Sequence, residues 1–230
     1  MRNFVHIIPC RKGSKRIINK NFKQFHRSNL TEISITTLLK SGVDKNDIYI
    51  SSDSLNGKEI ADKYEVNYHN RDSNLASDFA STFSLIKNII LSNTEISNYR
   101  YLSLIQPTCP LRSEFDISDA CKKIIDDNKN SLISVSECGF SHPEYLYEIE
   151  EKKIRKYTKT NDNKRSQEMN PTFFRNGAIY ISKIDYLKIG NSIIDSESLT
   201  YYKMPFLRSI NIDTEEDWQL AELIYKNNQK

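Results

Sequence analysis

The stretch FVHIIPCRKGSKRIINKN, residues 4–21, places an apolar run directly before a loop with one glycine and five cations. The run Phe4–Pro9 predicts a buried strand, and the polar residues 10–29 predict a long loop after it. The loop could bind a polyphosphate, since Gly13 lets the backbone approach closely and Ser14 can donate its hydroxyl. It could also be a solvated basic turn, because it matches neither the Walker A pattern nor GxGxxG. Its cations are Arg11, Lys12, Lys15, Arg16 and Lys20.

Composition limits the class of protein. A chain of 230 residues suits one sizeable α/β domain with a full core. The net charge of +3 is too small for the dense basic face of a nucleic-acid-binding protein. The apolar runs fall far short of the roughly 20 residues that span a membrane. The cysteines have no CxxC spacing and follow no signal peptide, so we expect a cytoplasmic protein with reduced thiols.

Strand-like and helix-like segments alternate along most of the chain. This order predicts parallel β-α-β units, and therefore an α/β fold with an open sheet covered on both faces. The predicted helices cover residues 30–40, 57–66, 79–91 and 113–127, and the predicted strands between them cover 47–53, 99–107 and 131–137. Ligands of such sheets bind beyond the carboxyl ends of the strands. We therefore expect one rim to gather the polar loops at 10–21, 51–57, 70–82 and 106–113.

The pattern changes over residues 138–172, where charged and apolar residues alternate without a further β-α-β unit. This segment could be an exposed β-hairpin with a mobile loop at 159–171, or an arm that packs on another subunit. A strand returns at 175–182. The stretch SINIDTEEDWQLAELIYKN, 209–227, predicts a strand, a turn and an amphipathic helix capped by Thr214.

Three further side chains follow predicted strands and could carry chemistry. Gln106 offers both a donor and an acceptor at a strand tip, although its loop could also be only a rigid turn. Arg71 is a loop cation with no obvious sequence partner. Asp213 could hold Mg²⁺, which prefers oxygen ligands, or could cap the last helix.

Six motifs in order resemble those of the N-acylneuraminate cytidylyltransferases. The first is IIPCRKGSKRIINKN, and the others are SSDS, LASDFAS, QPTCPLR, RNGAIYI and NIDTEEDW. The resemblance extends from Val5 to Glu222. It implies a Rossmann-like, three-layer, mostly parallel sheet, with residues 1–230 as a single cytidylyltransferase domain. It also implies a homodimer in which a small β-rich arm, residues 138–172, reaches the neighbouring active site.

The implied reaction transfers CMP from CTP to the anomeric hydroxyl of a nonulosonic acid and releases pyrophosphate, with Mg²⁺ as cofactor. By matching position, the residues that would bind the nucleotide are Arg11, Gly13, Ser14, Lys15, Lys20, Asn21, Arg71, Ala80 and Ser81. Arg11 and Lys20 would stabilise the developing charge. Gln106, Asn176 and the arm residue Arg165 would meet the sugar acid.

The metal position departs from the family pattern. Asp213 matches one metal ligand, but Asn211 stands where the family commonly has a second aspartate. The amide removes one negative charge and should weaken the site. Two alternatives to the acylneuraminate reaction therefore stay open: a deoxyoctulosonate-type cytidylyltransferase, whose first motif is usually shorter and lacks the KN pair, and a non-catalytic relative that only binds nucleotide.

Overall fold

The computed structural model describes residues 3–77, 80–158 and 169–228. The strands are β1 Phe4–Pro9, β2 Gln24–Phe25, β3 Ser28–Asn29, β4 Ile48–Ser52, β5 Asn67–Asn70, β6 Tyr101–Ile105, β7 Ser131–Glu137, β8 Tyr147–Glu150, β9 Lys153–Lys156, β10 Phe173–Lys183 and β11 Leu199–Lys203. The α-helices are α1 Leu30–Lys40, α2 Leu55–Tyr64, α3 Ser73–Ala76, α4 Thr82–Ser92, α5 Glu114–Asp126, α6 Ile184–Ile189 and α7 Glu215–Asn228.

Seven strands form one sheet in the order β11-β7-β10-β6-β1-β4-β5. β1 pairs in parallel with β4 and β6, and β7 pairs in parallel with β11. β10 is antiparallel to both of its neighbours, β6 and β7. The expectation of a Rossmann-like, mostly parallel α/β sheet is confirmed, with one reversed strand near the middle.

Helices cover both faces of the sheet because the central strands are apolar on both sides. Val5 and Ile7 of β1 face the cluster formed with α4 and α6, whereas Ile8 faces the cluster formed with α1, α2 and α5. All three of these side chains are fully buried. Near-continuous apolar runs of this kind are typical of parallel strands that are covered on both faces. Within the described residues, none of the helices has the length and apolar character needed to cross a membrane.

A third apolar cluster joins the basic loop of the first motif to the last helix. Ile17 and Phe25, from the segment predicted as polar loop, are buried beside Trp218 of α7. The Phe25 and Trp218 rings meet edge to face, with centroids 5.2 Å apart. The segment also contains the short β2–β3 hairpin. This cluster anchors residues 10–29 next to the chain that leads into α7.

Three parts of the secondary-structure prediction need correction. Residues 209–213 are not a strand. Ile210 and Ile212 alternate with polar residues because both side chains pack into the third cluster, and not because the segment pairs with the sheet. The edge strands β5 and β11 and the short helices α3 and α6 were not predicted. An edge strand is covered on fewer sides, so its sequence carries a weak apolar signal: β5 reads NYHN, with no fully buried residue.

The segment 138–172 contains the β-hairpin that the first interpretation predicts. β8 and β9 pair antiparallel from Tyr147 opposite Lys156 to Glu150 opposite Lys153, and the two turn residues between them have positive φ angles of 47° and 70°. Ile149 and Ile154 are 77% and 66% exposed. The proposed loop at 159–171 lies mostly outside the described residues. Whether this arm contacts a second subunit stays a prediction.

The buried imidazole of His6 should make folding stability depend on pH. Burial in β1 lowers the pKa of His6 from 6.5 to about 4. Between those values the unfolded chain binds a proton that the folded chain does not, so stability falls as the pH falls. We expect His6 to remove about 3 kcal/mol of unfolding free energy between pH 7 and pH 4. Urea unfolding of wild type and His6→Gln across this range measures the difference, and parallel pH curves for the two proteins would contradict it.

Candidate active site

A polar cavity of about 400 Å³ lies at the carboxyl ends of β1 and β6. Three of the four loops expected at this rim line it directly, together with the segment before α7. The lining residues are Pro9, Arg11, Ser14, Lys20, Asn21, Arg71, Ser77, Ala80, Thr82, Gln106, Pro107, Thr108, Asn211 and Asp213. The fourth loop braces the first, because Asp53 Oδ1 accepts a 2.7 Å hydrogen bond from the Lys12 backbone N–H.

Side chains order the basic loop of the first motif. Asn21, 7% exposed, donates from Nδ2 to the Arg11 carbonyl at 3.2 Å. Ser52 donates from Oγ to the Cys10 carbonyl at 2.6 Å. Gly13 has no heavy atom within 4 Å of its missing Cβ and does not line the cavity. The loop therefore differs from a glycine-rich phosphate loop, because hydrogen bonds from neighbouring residues hold its backbone.

Lys20 lies where the first motif meets the last. Its Nζ donates to the Ile212 carbonyl at 2.5 Å and to Asp213 Oδ1 at 3.1 Å. The Lys20 side chain is 11% exposed, whereas the Asp213 side chain is 51% exposed. Arg16 Nη1 is 4.0 Å from the other carboxylate oxygen of Asp213. An ammonium group has three protons, so two acceptors leave Lys20 able to bind a ligand oxygen.

Arg11 and Arg71 enter the cavity from different loops and point to the same short helix. Arg11 Nη1 donates to the Ala76 carbonyl at 3.3 Å. Arg71 donates to the Leu75 carbonyl from Nε at 2.8 Å and also from Nη2. Arg71 is 8% exposed, and burial lowers its pKa below the usual arginine range. The two guanidinium groups add fixed positive charge to the cavity that Lys20 and Asp213 also line.

Asp213 and Asn211 form the predicted metal position. Asn211 Nδ2 donates to Asp213 Oδ2 at 3.2 Å, and Asn211 Oδ1 lies 3.7 Å from the Cys109 thiol sulfur. The described residues contain no group of three or more histidine, cysteine, aspartate or glutamate side chains placed to hold a metal ion. One carboxylate and one amide suit Mg²⁺ if substrate phosphates and water supply the remaining oxygens, which is the usual arrangement for this ion.

The structure separates the two described residues predicted to meet the sugar acid. Gln106 lines the cavity, and its Oε1 would lie 3.2 Å from a Cβ placed on Gly177, which has φ +80°. Asn176 does not line the cavity: it is 3% exposed, and its amide is hydrogen-bonded inside the protein. The sequence predicts contact between Asn176 and the sugar acid, and the structure places this side chain behind the cavity wall. Arg165 lies outside the described residues.

Of the remaining residues predicted to bind the nucleotide, some line the cavity and others do not. Ala80 lines the cavity, but Ser81 serves as the N-cap of α4 and accepts from the Ser84 backbone at 3.0 Å. Lys15 lines an adjoining cavity of about 230 Å³ together with Arg16 and Lys20.

Two residues with clear roles at the rim were underestimated from the sequence. Thr108 lines the cavity, and its carbonyl accepts from the Ile212 N–H at 2.8 Å, which joins two motifs. Arg112 is 4% exposed, and burial lowers its pKa to about 10. Its Nη1 donates to the Ala178 and Gln106 carbonyls at 2.9 and 3.3 Å. The position of Thr108 beside Gln106 in QPTCPLR is the signal that could have indicated it.

The sequence profile described as Cytidylyltransferase matches residues 5–228. The chain belongs to the cytidylyltransferase family. Its resemblance to the N-acylneuraminate branch is confirmed, and with it the class of enzyme, a nucleotidyltransferase. Pseudaminic acid cytidylyltransferase of Campylobacter jejuni serotype O:2 is 28% identical over 96% of each chain.

One more curated relative and one solved structure are also similar to this chain. N-acylneuraminate cytidylyltransferase of Streptococcus agalactiae serotype III (strain NEM316) is 27% identical over 92% of this chain and 51% of its own length. A solved structure of CMP:2-keto-3-deoxy-manno-octonic acid synthetase with CTP superposes with a TM-score of 0.72. It is 12% identical and covers 98% of this chain and 99% of its own, so it supports the fold alone.

Proposed function

We propose that this cytidylyltransferase transfers CMP from CTP to the anomeric hydroxyl of a nonulosonic acid. The observation that carries the proposal is the convergence of Arg11, Lys20 and Arg71 with the carboxylate of Asp213 around one cavity. A triphosphate needs several fixed cations, and a divalent ion needs an anionic oxygen beside them. The cavity offers both at the rim where α/β sheets bind their ligands.

In this reaction the sugar hydroxyl oxygen bonds to the α-phosphorus of CTP, and the bond from that phosphorus to the bridging oxygen breaks. Pyrophosphate carries away the electron pair, and the hydroxyl proton passes to solvent. Arg11 and Lys20 neutralise charge on the oxygens around the α-phosphorus, and Lys15 in the adjoining cavity binds the pyrophosphate side. Catalysis then comes from positioning and charge neutralisation, as in other phosphoryl-type transfers.

Asp213, assisted by Asn211, would hold the Mg²⁺ that the sequence resemblance implies. The ion supplies Lewis-acid polarisation of the phosphate oxygens when it is bound. Lys20 contacts the same carboxylate at 3.1 Å, so it keeps Asp213 directed into the cavity. Gln106, with one donor and one acceptor group, orients the sugar acid at the carboxyl end of β6.

A pseudaminate-type acid is the first substrate to test, because a pseudaminic acid cytidylyltransferase matches this chain over 96% of both lengths. Neuraminate-type and legionaminate-type acids differ from it in stereochemistry and acyl groups. We also propose that the enzyme works as a homodimer, with the arm at 138–172 completing the neighbouring sugar site. The exposed apolar side chains of the β8–β9 hairpin support this role.

Pyrophosphate release with CTP, Mg²⁺ and a panel of sugar acids tests the proposal. We expect release with at least one nonulosonic acid and little with 2-keto-3-deoxyoctonate. Release with the octonate alone would establish the deoxyoctulosonate alternative. If no acid supports release although CTP raises the melting temperature, the chain is a nucleotide-binding relative without this activity.

Asn211→Asp should strengthen metal binding. A second carboxylate beside Asp213 adds one negative charge, and we expect the Mg²⁺ concentration at half-maximal rate to fall roughly tenfold. Mn²⁺ binding followed by electron paramagnetic resonance gives the same comparison without turnover. Asn56→Asp adds a charge at an exposed position of α2 and serves as the control. An unchanged Mn²⁺ affinity in Asn211→Asp would contradict a metal role for this position.

A further inference from the structure

The amide of Asn176 lies at an irregularity in β10, the strand that runs antiparallel to both of its neighbours in the seven-stranded sheet. The pairing of β10 with β7 changes register between Arg175 and Tyr180, and Gly177 follows Asn176 with φ +80°. Five residue steps of β10 here span two of β7, so three extra residues form an extended bulge, a type of irregularity often found beside active sites. A buried polar side chain at a bulge requires hydrogen-bond partners.

Asn176 makes a hydrogen bond in every direction that its amide allows. Oδ1 accepts from Ser134 Oγ at 2.5 Å and from the Ala178 N–H at 3.1 Å. Nδ2 donates to Ser209 Oγ at 2.8 Å and to Met204 Sδ at 3.3 Å. The side chain therefore has no capacity left for a sugar acid, and at 3% exposure it has little surface to offer one.

Ser209, one hydrogen-bond partner of Asn176, connects this residue to the predicted metal position. Ser209, itself 3% exposed, also donates to the Pro205 carbonyl at 2.9 Å, which closes a turn after β11. Asn211 and Asp213 follow within four residues of Ser209. The hydrogen bond from Asn176 to Ser209 thus fixes the start of the segment that carries both predicted ligands.

Ala178, another hydrogen-bond partner, connects Asn176 to Gln106. The bond from the Ala178 N–H to Asn176 Oδ1 closes the bulge around Gly177, directly against the Gln106 side chain. Arg112 then ties the Ala178 carbonyl to the Gln106 carbonyl through one guanidinium nitrogen. A change in the bulge would shift the wall on which Gln106 stands.

We propose that Asn176 is a positioning residue that sets the Asn211–Asp213 segment and the Gln106 wall relative to each other. It acts through Ser209 and the bulge and contacts neither substrate. The kinetic part of this inference rests on the proposed function, whereas the structural part concerns only the order of residues 205–213.

The test compares Asn176→Ala, Ser209→Ala and the double variant, with Ser182→Ala as control. Ser182 is also buried in β10, and its hydroxyl donates to the Ile193 carbonyl at 2.5 Å, away from the cavity lining. We expect both single variants to weaken Mn²⁺ binding about tenfold, and the double variant to be no weaker than Asn176→Ala, because coupled residues are not additive. Hydrogen exchange over residues 205–213 should speed up in both single variants and stay at the wild-type rate in the control.

The result that overturns the inference is a rise in the KM for the sugar acid alone in Asn176→Ala, while Ser209→Ala keeps wild-type Mn²⁺ affinity and exchange. That pattern would mean direct contact between Asn176 and the sugar. If wild type releases no pyrophosphate, the proposed function fails, but exchange and Mn²⁺ binding still decide the positioning role. If Asn176→Ala does not fold, Ser209→Ala decides it, because that change removes one buried hydroxyl and little volume.

Discussion

Replacement of Lys20 by alanine is expected to lower the turnover number at saturating CTP about 10²–10³-fold, the range found when one transition-state donor is removed. Lys20 is the cation of the first motif that contacts the last motif, through the Ile212 carbonyl and the Asp213 carboxylate. Its loss removes a positive charge near the α-phosphorus. It also leaves Asp213 without its closest cation among the described residues.

The matched control is Lys23→Ala in the same loop. Lys23 forms an exposed ion pair with Glu215 at 3.1 Å and lies 4.7 Å from the centroid of the Trp218 ring. Exposed pairs contribute about 0–1 kcal/mol to stability, so this variant should keep its turnover within about twofold. Steady-state rates at saturating CTP and sugar acid, with melting temperatures for both variants, make the comparison. Near-normal turnover in Lys20→Ala would remove Lys20 from the mechanism.

The position of Lys20 also shows how far the sequence could lead. The apolar run Phe4–Pro9 and the alternation of strands and helices were enough to predict the parallel core and the rim where the loops meet. They could not predict the distance from Lys20 to Asp213, because 192 residues separate these positions and only tertiary packing joins them. The contact depends on Ile17 and Phe25, which pack against α7 from within a segment that reads as polar.

Asn176 is the opposite case, in which a motif indicated importance but not the role. RNGAIYI predicted a strand with a substrate-facing asparagine, and the strand is present as part of β10. The direction of the side chain depends on the register shift against β7, and the sequence pattern does not reveal a bulge. Gly177 is the residue of the sequence that could have indicated the bulge, because a glycine inside a strand often marks such an irregularity.

Asp116→Ala is expected to lower the free energy of unfolding by about 3 kcal/mol, because it removes the charged hydrogen bonds of a buried carboxylate and one half of the capping box of α5. The Asp116 side chain is fully buried, and its carboxylate accepts hydrogen bonds from Arg208 and Ser113. Arg208 donates to both of its oxygens at 3.0 Å. The Ser113 N–H donates to Asp116 Oδ2 at 2.8 Å and the Asp116 N–H donates to Ser113 Oγ at 3.3 Å, and these two bonds form the capping box of α5.

The effect should be visible as a fall in melting temperature of about 10 °C, since a domain of this size shifts by roughly 2–4 °C per kcal/mol. Asp119→Ala, an exposed position on the same helix, is the control and should change stability by less than about 0.5 kcal/mol. Equal shifts for the two variants would contradict a special structural role for the buried Asp116 carboxylate.

The ion pair between Asp116 and Arg208 also connects α5 to the segment that carries the predicted metal ligands. Arg208 immediately precedes Ser209, the hydroxyl that Asn176 holds, and Asp213 follows four residues later. Asp116→Ala should therefore weaken Mn²⁺ binding beyond what its lower melting temperature explains, when both proteins are compared well below their transitions. A destabilised variant with wild-type Mn²⁺ affinity would show that Ser209 and its neighbours fix the metal segment without help from α5. The two contacts, Asp116 to Arg208 and Asn176 to Ser209, can then be ranked directly by their effects on one measured affinity.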